Sequence, residues 1–445
     1  MINPGSKRLS VICAASLKGL QNRRDDAKSL IDFFCAYEYC IGDHNEEQSL
    51  EIMSEFEAHL GLLPTGFVDL MPEEAEKEAS AIQALMSLFT GYGYLRIKPP
   101  LMEFEESLFA PGPGASLTKD TFRVMDPVSR RMLGVRADIT PQIARIVCTR
   151  LPQDQSPMRL TYANDVLRAS AGQLRTARQF TQVGCEIAGD DSRASYAESA
   201  TLAILGLKRL GVHDITLDIT LPRLPDALLD QWGLEPATRT SLLNALDKRD
   251  RDGIAALDFE GKGCILSLLD ATGYAADALD KVSALDLPKT MKVETEKLTG
   301  VVADIQVALD QLGLDDVRLT FDAFETKGFE YHSGIAFSLF AKGLRGELGR
   351  GGHYSIRFGA AGKSDDTSQD DTSQKAIGFT LYMDTIRSAL SRTDDKKILA
   401  VPLRVGWGEL ETLRSEGWTL VRMGECDDIP DRVTHIYKNG KPEER

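Results

Sequence analysis

Gln182 and Glu186 stand four residues apart within Phe180–Ile187, a short apolar run that predicts a strand. On a strand that spacing puts both side chains on one face, with Val183 and Cys185 on the other. A carboxyl and a carboxamide facing the interior of a central strand are costly unless hydrogen-bonded, and a polar ligand is one way to supply the bonds. On an edge strand the same residues would simply face water, and spacing alone leaves both readings open. Asp138 and Thr140 end the stretch Val135-Arg136-Ala137-Asp138-Ile139-Thr140. By themselves they are most simply read as the cap of a helix starting near Pro141. Together with Gln182 and Glu186 they would suit a small ligand with an ammonium group and polar ends.

Other chemistries find little support. The six histidines (His44, His59, His213, His332, His353 and His435) include no pair at ligand spacing, so no metal is expected. There is no Gly-x4-Gly-Lys-Ser/Thr phosphate loop, and no Gly-x-Gly-x-x-Gly between a strand and a helix. Gly343, Gly346, Gly349, Gly351 and Gly352 could let backbone approach a ligand, although hairpin turns explain such clusters equally well. The seven cysteines are scattered without paired spacing, which suits a reducing compartment. No run approaches the roughly 18 apolar residues of a membrane span, so the expected location is the cytoplasm and no cofactor is expected. A net charge of −15 argues against a broad nucleic-acid surface.

The elements that must position these residues can be read from periodicity. Pro72, Glu73, Glu74 and Glu76 open a helix whose buried stripe is Ala75, Ile82, Leu85, Met86 and Phe89. Thr121–Met125 and Met132–Val135 form a hairpin; Arg159–Val166 and Phe180–Ile187 are paired strands around a polar, Arg-rich loop. Ala197–Leu210 is a helix and Ile215–Ile219 a strand, and residues 224–315 read as a helical insertion. Strands return at Val317–Phe324, Gly334–Phe340 and His353–Phe358, and Ala376–Leu390 is expected to be a core helix entered through Gly378. The polar stretch Ala361–Gln374 is expected to be a surface loop. The fold class is α+β, a mainly antiparallel sheet flanked by helices, with residues 393–445 as a small α/β C-terminal tail. Residues 1–52 differ in composition and are expected to be accessory or poorly ordered, leaving a main domain over 53–392.

Several stretches then resemble histidyl-tRNA synthetases in order along the chain. Gly66-Phe67-Val68-Asp69-Leu70-Met71-Pro72 is similar to the opening of that catalytic domain, and Gly93–Pro100 to the first class II synthetase motif. Arg136–Thr140 resembles an Arg-Pro-Glu-Gly-Thr stretch, and Arg168–Phe180 followed by Gln182-Val183-Gly184-Cys185-Glu186 resembles motif 2 and its continuation. Lys327-Gly328-Phe329-Glu330-Tyr331-His332-Ser333-Gly334 resembles Arg-Gly-Leu-Asp-Tyr-Tyr-x-Gly, Gly351-Gly352-His353-Tyr354 resembles Gly-Gly-Arg-Tyr, and Ala376-Ile377-Gly378-Phe379 opens motif 3. The resemblance runs from about residue 60 to 392. It implies a class II aminoacyl-tRNA synthetase-like fold and a self-dimer.

Departures from the pattern fall on the ATP side. Arg168 is kept, but its paired Glu is Ser170; the signature's catalytic Arg is Lys327, which loses the bidentate fork. Motif 3 reads Tyr382-Met383-Asp384-Thr385 in place of Gly-Leu-Glu-Arg, so the phosphate-clamping arginine is absent. Some 50 residues follow motif 3, fewer than a full anticodon-binding domain needs. Arg168, Arg178 and Lys327 are thus expected to be remnants of an ATP site, with no catalytic residue left. The amino-acid side is better kept: Thr140, Gln182, Glu186 and Tyr331 match the histidine-pocket pattern, Asp138 shortens a Glu, and His332 replaces a Tyr.

This combination resembles the regulatory subunits of short-form ATP phosphoribosyltransferase. The resemblance implies a hetero-octamer with the catalytic subunit, histidine as effector, and no role for membrane or tRNA. Its rivals are an active histidyl-tRNA synthetase and a stand-alone histidine-binding relative. Because the match begins after Met53, a chain starting there is expected to fold and to activate its partner as the full chain does. Loss of solubility or of activation on that truncation would show that residues 1–52 take part.

Overall fold

Pro72 at the first turn and the carboxylates of Glu73 and Glu74 start helix α1, Pro72–Gly91, without a side-chain cap. Its buried stripe is Ala81, Leu85, Met86 and Phe89; of the expected stripe, Ala75 is exposed and Ile82 half-buried. The computed structural model describes residues 61–152, 156–172, 175–356, 374–390, 397–424 and 428–445. The extension 1–52 and the polar stretch up to 373 lie outside the described residues.

The described strands, in chain order, are β1 Leu95–Arg96, β2 Met102–Phe104, β3 Arg123–Met125, β4 Met132–Val135, β5 Met158–Leu167 and β6 Gln179–Ala188. They continue as β7 Ile215–Thr220, β8 Gly273–Tyr274, β9 Val317–Phe321, β10 His332–Ala341, β11 Gly349–Ile356 and β12 Gln374–Tyr382. Nine of them form one sheet in the order β1-β5-β6-β12-β11-β10-β7-β9-β8, while β2, β4 and β3 make a small separate sheet. The large sheet is antiparallel except where β1 meets β5 and β7 meets β9. This is the mainly antiparallel, helix-flanked sheet expected of a class II synthetase-like domain.

One expectation needs correction. Ala376–Leu390 is not a core helix: β12 occupies Gln374–Tyr382, followed by one α-helical turn, Met383–Ile386 (α5 in the numbering below), and a 3-10 turn, Arg387–Ala389. The stretch alternates with period two. Ile377, Phe379 and Leu381 join the core that contains α1, with Phe379 edge-on to Phe89 at 5.5 Å, while Ala376 and Tyr382 join the opposite core. Pairing with β6 on one side and β11 on the other satisfies its backbone as a central strand. Two flanking strands outweigh the local helical reading.

Helix α2, Thr140–Thr149, covers one face of the sheet, where Ile139, Ile143 and Val147 pack with Leu160, Tyr162, Val166 and Phe180. Helices α1 and α3, Arg193–Arg209, cover the other, against Val183, Cys185 and Ile187 of β6. The insertion leaves after β7 and rejoins at β9, with helices at Leu224–Gln231, Pro236–Asp247, Arg251–Ala256, Lys262–Ala271 and Ala275–Ser283, closed by α4, Lys289–Leu312. Helix α5 follows β12. The tail is a sheet ordered β14-β13-β15-β16, formed by Ile398–Pro402 (β13), Thr419–Met423 (β14), His435–Lys438 (β15) and Lys441–Glu444 (β16), with helix α6 at Trp407–Ser415.

Arg136 ties the motif 1 segment to the sheet. Buried at 5% exposure, it donates to the carbonyls of Asp165 at 2.6 Å, Pro99 at 3.0 Å and Pro100 at 3.2 Å. Its own carbonyl accepts from Leu167, so it fixes the approach of Asp138 to β5. Arg136→Met removes the guanidinium donors of the Asp165 and Pro99 carbonyls, while Pro100 keeps its 2.7 Å bond from Gln142, and is expected to destabilise by about 2 kcal/mol or more. Urea unfolding checks this; a midpoint unchanged from wild type contradicts it.

Candidate functional site

Strand β6 is central, so the inward-facing reading of Gln182 and Glu186 holds: they are 0% and 2% exposed. Glu186 lies opposite Gly378 on β12, Gly378 opposite Gly352 on β11, and Gly352 opposite Ala336 on β10. A Cβ on Gly378 would fall 1.6 Å from Glu186 Oε2, so only glycine lets the carboxyl lie across the sheet. There it accepts from Tyr354 Oη at 2.9 Å and from Thr140 Oγ1 and Tyr162 Oη at 3.3 Å each. Tyr162 Oη also shares a 2.8 Å hydrogen bond with Thr380.

Gln182 accepts from the Ile139 amide at 3.0 Å and donates to Asp138 Oδ2 at 2.9 Å. The other oxygen of Asp138 accepts from the Thr140 amide at 2.9 Å. Asp138 is therefore not the helix cap, since Ile139 holds that position without a side-chain cap bond; its bond from Thr140 turns the chain just before α2, and its other oxygen joins the cage. Tyr331 stacks on His332 with ring centres 4.2 Å apart, and meets Tyr354 edge-on at 6.0 Å. Asp138, Thr140, Gln182, Glu186, Tyr331 and His332 thus come together.

Electrostatics revise one expectation about this cage. Burial pushes the Glu186 carboxyl up to about 8; its bond from Tyr354 opposes the rise and the charge of Asp138 adds to it. At neutral pH it is mostly an uncharged acid with three hydroxyl partners. A bound ammonium is therefore not required to explain its burial. Burial, helped by Arg350, holds the His332 imidazole well below its usual range, so it too is neutral. The cavity these residues line with Arg350, Gly352 and Tyr382 leaves about 10 Å³ free, room for about one water.

The ATP-side residues are dispersed. Arg168 donates to the Ala137 carbonyl at 3.4 Å and lies over Phe180; Arg178 donates to the Arg168 carbonyl at 3.1 Å and lies between Phe67 and Phe122. Ser170 bonds Asp120 at 2.7 Å. Lys327 points away from the cavity, into a 2.7 Å exposed ion pair with Asp247 of the insertion. Its neighbour Gly328, at φ +79°, packs on Arg350, which takes the inward place.

Sequence reasoning missed two arginines near Tyr382. Arg175 pairs with Asp384 at 3.0 Å and stacks 3.8 Å above Tyr382 and 4.8 Å from Phe180. Arg350 pairs bidentately with Glu347 and donates to the Gly328 carbonyl at 2.5 Å. Arg175 sits in a loop with no periodic signal. Arg350 directly precedes the quoted Gly351-Gly352-His353-Tyr354, so its position beside a glycine pair was the available clue.

Away from the cage, an open groove of about 650 Å³ is lined by Lys98, Pro99, Pro100, Met102, Phe104 and Ile146 among others. Exposed Tyr92, Leu95, Leu101, Val124 and Met125 belong to the same motif 1 and hairpin segments. Among the described residues no cluster of His, Cys, Asp or Glu could hold a metal, and no helix is long and apolar enough to cross a membrane.

Comparison with known proteins agrees with the fold. The family model described as histidyl-tRNA synthetase matches residues 66–386. An ATP phosphoribosyltransferase regulatory subunit of Rhodospirillum centenum is 41% identical over 366 residues, covering 82% of this chain and 90% of that protein. The fold matches an ATP phosphoribosyltransferase regulatory subunit/histidyl-tRNA synthetase of Bacillus halodurans with a TM-score of 0.68 at 22% identity, over 83% of this chain and 94% of that one. It also matches a chain of the ATP phosphoribosyl transferase (HisG:HisZ) complex of Thermotoga maritima, with a TM-score of 0.50 at 15% identity, over 69% of this chain and 97% of that one.

The raised Glu186 carboxyl makes stability depend on pH. Its contribution is full below the unfolded value near 4.5 and is lost as pH rises through about 8, because the buried group must then ionise. Glu186→Gln, which keeps a neutral group of the same shape, should gain on wild type between about pH 5 and pH 9. Thermal melts of both chains across that range check the sign; parallel curves contradict a neutral Glu186.

Proposed function

The chain belongs to the ATP phosphoribosyltransferase regulatory subunits, built on the histidyl-tRNA synthetase domain, and from that membership we propose how it works. It is a non-catalytic subunit of that enzyme in histidine biosynthesis. On our reading it docks, as a self-dimer, with the short-form catalytic subunit in a cytoplasmic hetero-octamer, activates it, and relays feedback inhibition by histidine. The cage of Asp138, Thr140, Gln182, Glu186, Tyr331 and His332 is where histidine is sensed.

The observation that supports a silent nucleotide side most directly is the stack of Arg175 on Tyr382. Adenylate formation needs cations free to follow charge that develops on phosphate. Arg175 instead neutralises Asp384 beneath the stack on Tyr382, and Lys327 faces the surface. The insertion disfavours tRNA for a related reason: residues 224–315 hold seventeen Asp and Glu against nine Lys and Arg, which repels a phosphate backbone. A self-dimer is supported by the exposed apolar residues Tyr92, Leu95 and Leu101 and by β1, a two-residue edge strand with both residues exposed.

Co-expression with a short-form catalytic chain should yield one complex whose phosphoribosyl transfer exceeds that of the catalytic chain alone and falls with added histidine. Histidine-dependent pyrophosphate exchange should stay at the no-enzyme blank, also in Thr385→Arg; exchange above the blank overturns the non-catalytic reading. Glu186→Ala should weaken histidine binding to the complex by about one to two orders of magnitude in calorimetry. Unchanged affinity would place the effector outside the cage.

A further inference from the structure

The floor of the cage is a trough cut by glycines, and the chain fills it with its own side chains. Gly378 makes room for the Glu186 carboxyl; a Cβ on Gly352 would fall 2.7 Å from Cδ2 of His332. Glu186 is held by three hydroxyls, but His332 is held differently. Its ring is 2% exposed, stacked on Tyr331 and edge-on to Phe329 at 5.2 Å, and its Nδ1 is buried without a hydrogen-bond partner. An unpaired buried ring nitrogen opposes this placement, so stacking and confinement keep the ring in place.

The backbone around it is anchored and irregular at once. Arg223 donates to the carbonyls of His332 at 3.1 Å and Glu330 at 3.2 Å. The register of β10 against β11 shifts between His332 and Ala336, the kind of irregularity that re-aims a side chain. A neutral imidazole stacked on tyrosine over a glycine floor is the environment a free histidine side chain would need in the same cage, and the free volume of about 10 Å³ cannot hold a second ring.

We propose that His332 is a tethered competitor: its imidazole fills the place that the ring of free histidine takes, and histidine enters only as the His332 ring leaves. This rests on the reading of the cage as the histidine sensor, and it adds a gate. Displacement lowers the apparent affinity by the fraction of chains whose ring is out, so the threshold for sensing is set by how well His332 packs.

The test uses the complex with the catalytic subunit and two probes, imidazole and L-histidine. His332→Ala should leave a ring-sized hole, so imidazole at about ten times its dissociation constant should raise the melting temperature by about 2 °C. Wild type should not respond. L-histidine should bind the variant about tenfold or more tighter than wild type. His332→Phe keeps a ring in place and should bind histidine no better than wild type; tighter binding there overturns the proposal. Equal histidine affinity in wild type and His332→Ala, with no imidazole shift, overturns the competitor role and leaves the sensor reading standing. An imidazole shift with histidine bound by neither chain overturns the sensor reading and the competitor role with it. If His332→Ala is recovered only with imidazole present, that rescue is itself the expected result.

Discussion

Placing Glu186 on a central strand obliges its surroundings to supply both donors and empty space. The donors are hydroxyls from three directions, Tyr354 on β11, Tyr162 on β5 and Thr140 at the start of α2. The space is the glycine at 378, without which the carboxyl could not lie flat. Burial then removes the charge, since none of these partners is a cation and Asp138 is close by. Much of the cage follows: Thr140 must face inward, which sets the turn at Asp138, and Asp138 in turn orients Gln182. The result is a polar interior whose bonds close on one another.

The arginines expected at a nucleotide site, and two more near Tyr382, do structural work. Arg168 and Arg178 donate to backbone carbonyls, Arg350 is buried against Glu347, and Arg175 stacks where the strand β12 ends in Tyr382. A guanidinium suits this role because it pairs and stacks at once. Tyr382 is thus covered by the Arg175 guanidinium, which pairs with Asp384.

Much of the architecture was legible because it rests on period and order. The central strands and α1 follow from alternation, from the Pro72 helix start and from the order of the family motifs. The segment Ala376–Leu390 was misread because its pairing partners, β6 and β11, lie far away in sequence and carry no local signal. In the cage, the shared face of Gln182 and Glu186 was readable from spacing, whereas the neutrality of Glu186 was not. That depends on how many charges remain nearby after folding, and on hydroxyls from three other elements. Lys327 shows the converse: a motif position can be kept while its side chain leaves for Asp247.

The insertion is entered and left at adjacent strands that run parallel. The chain therefore departs from one end of β7 and re-enters at the other end of β9, a gap that α4, with 24 residues and about 36 Å of length, helps to bridge. An appendage with both stalks at one point could swing like a flap. One with its stalks at opposite ends of a strand pair is a strut. Any load on it passes into β7 and β9, and Arg223, the residue just before its first helix, holds the carbonyls of Glu330 and His332. Through Arg223 the root of the insertion is thus fastened to the wall of the cage some hundred residues away along the chain.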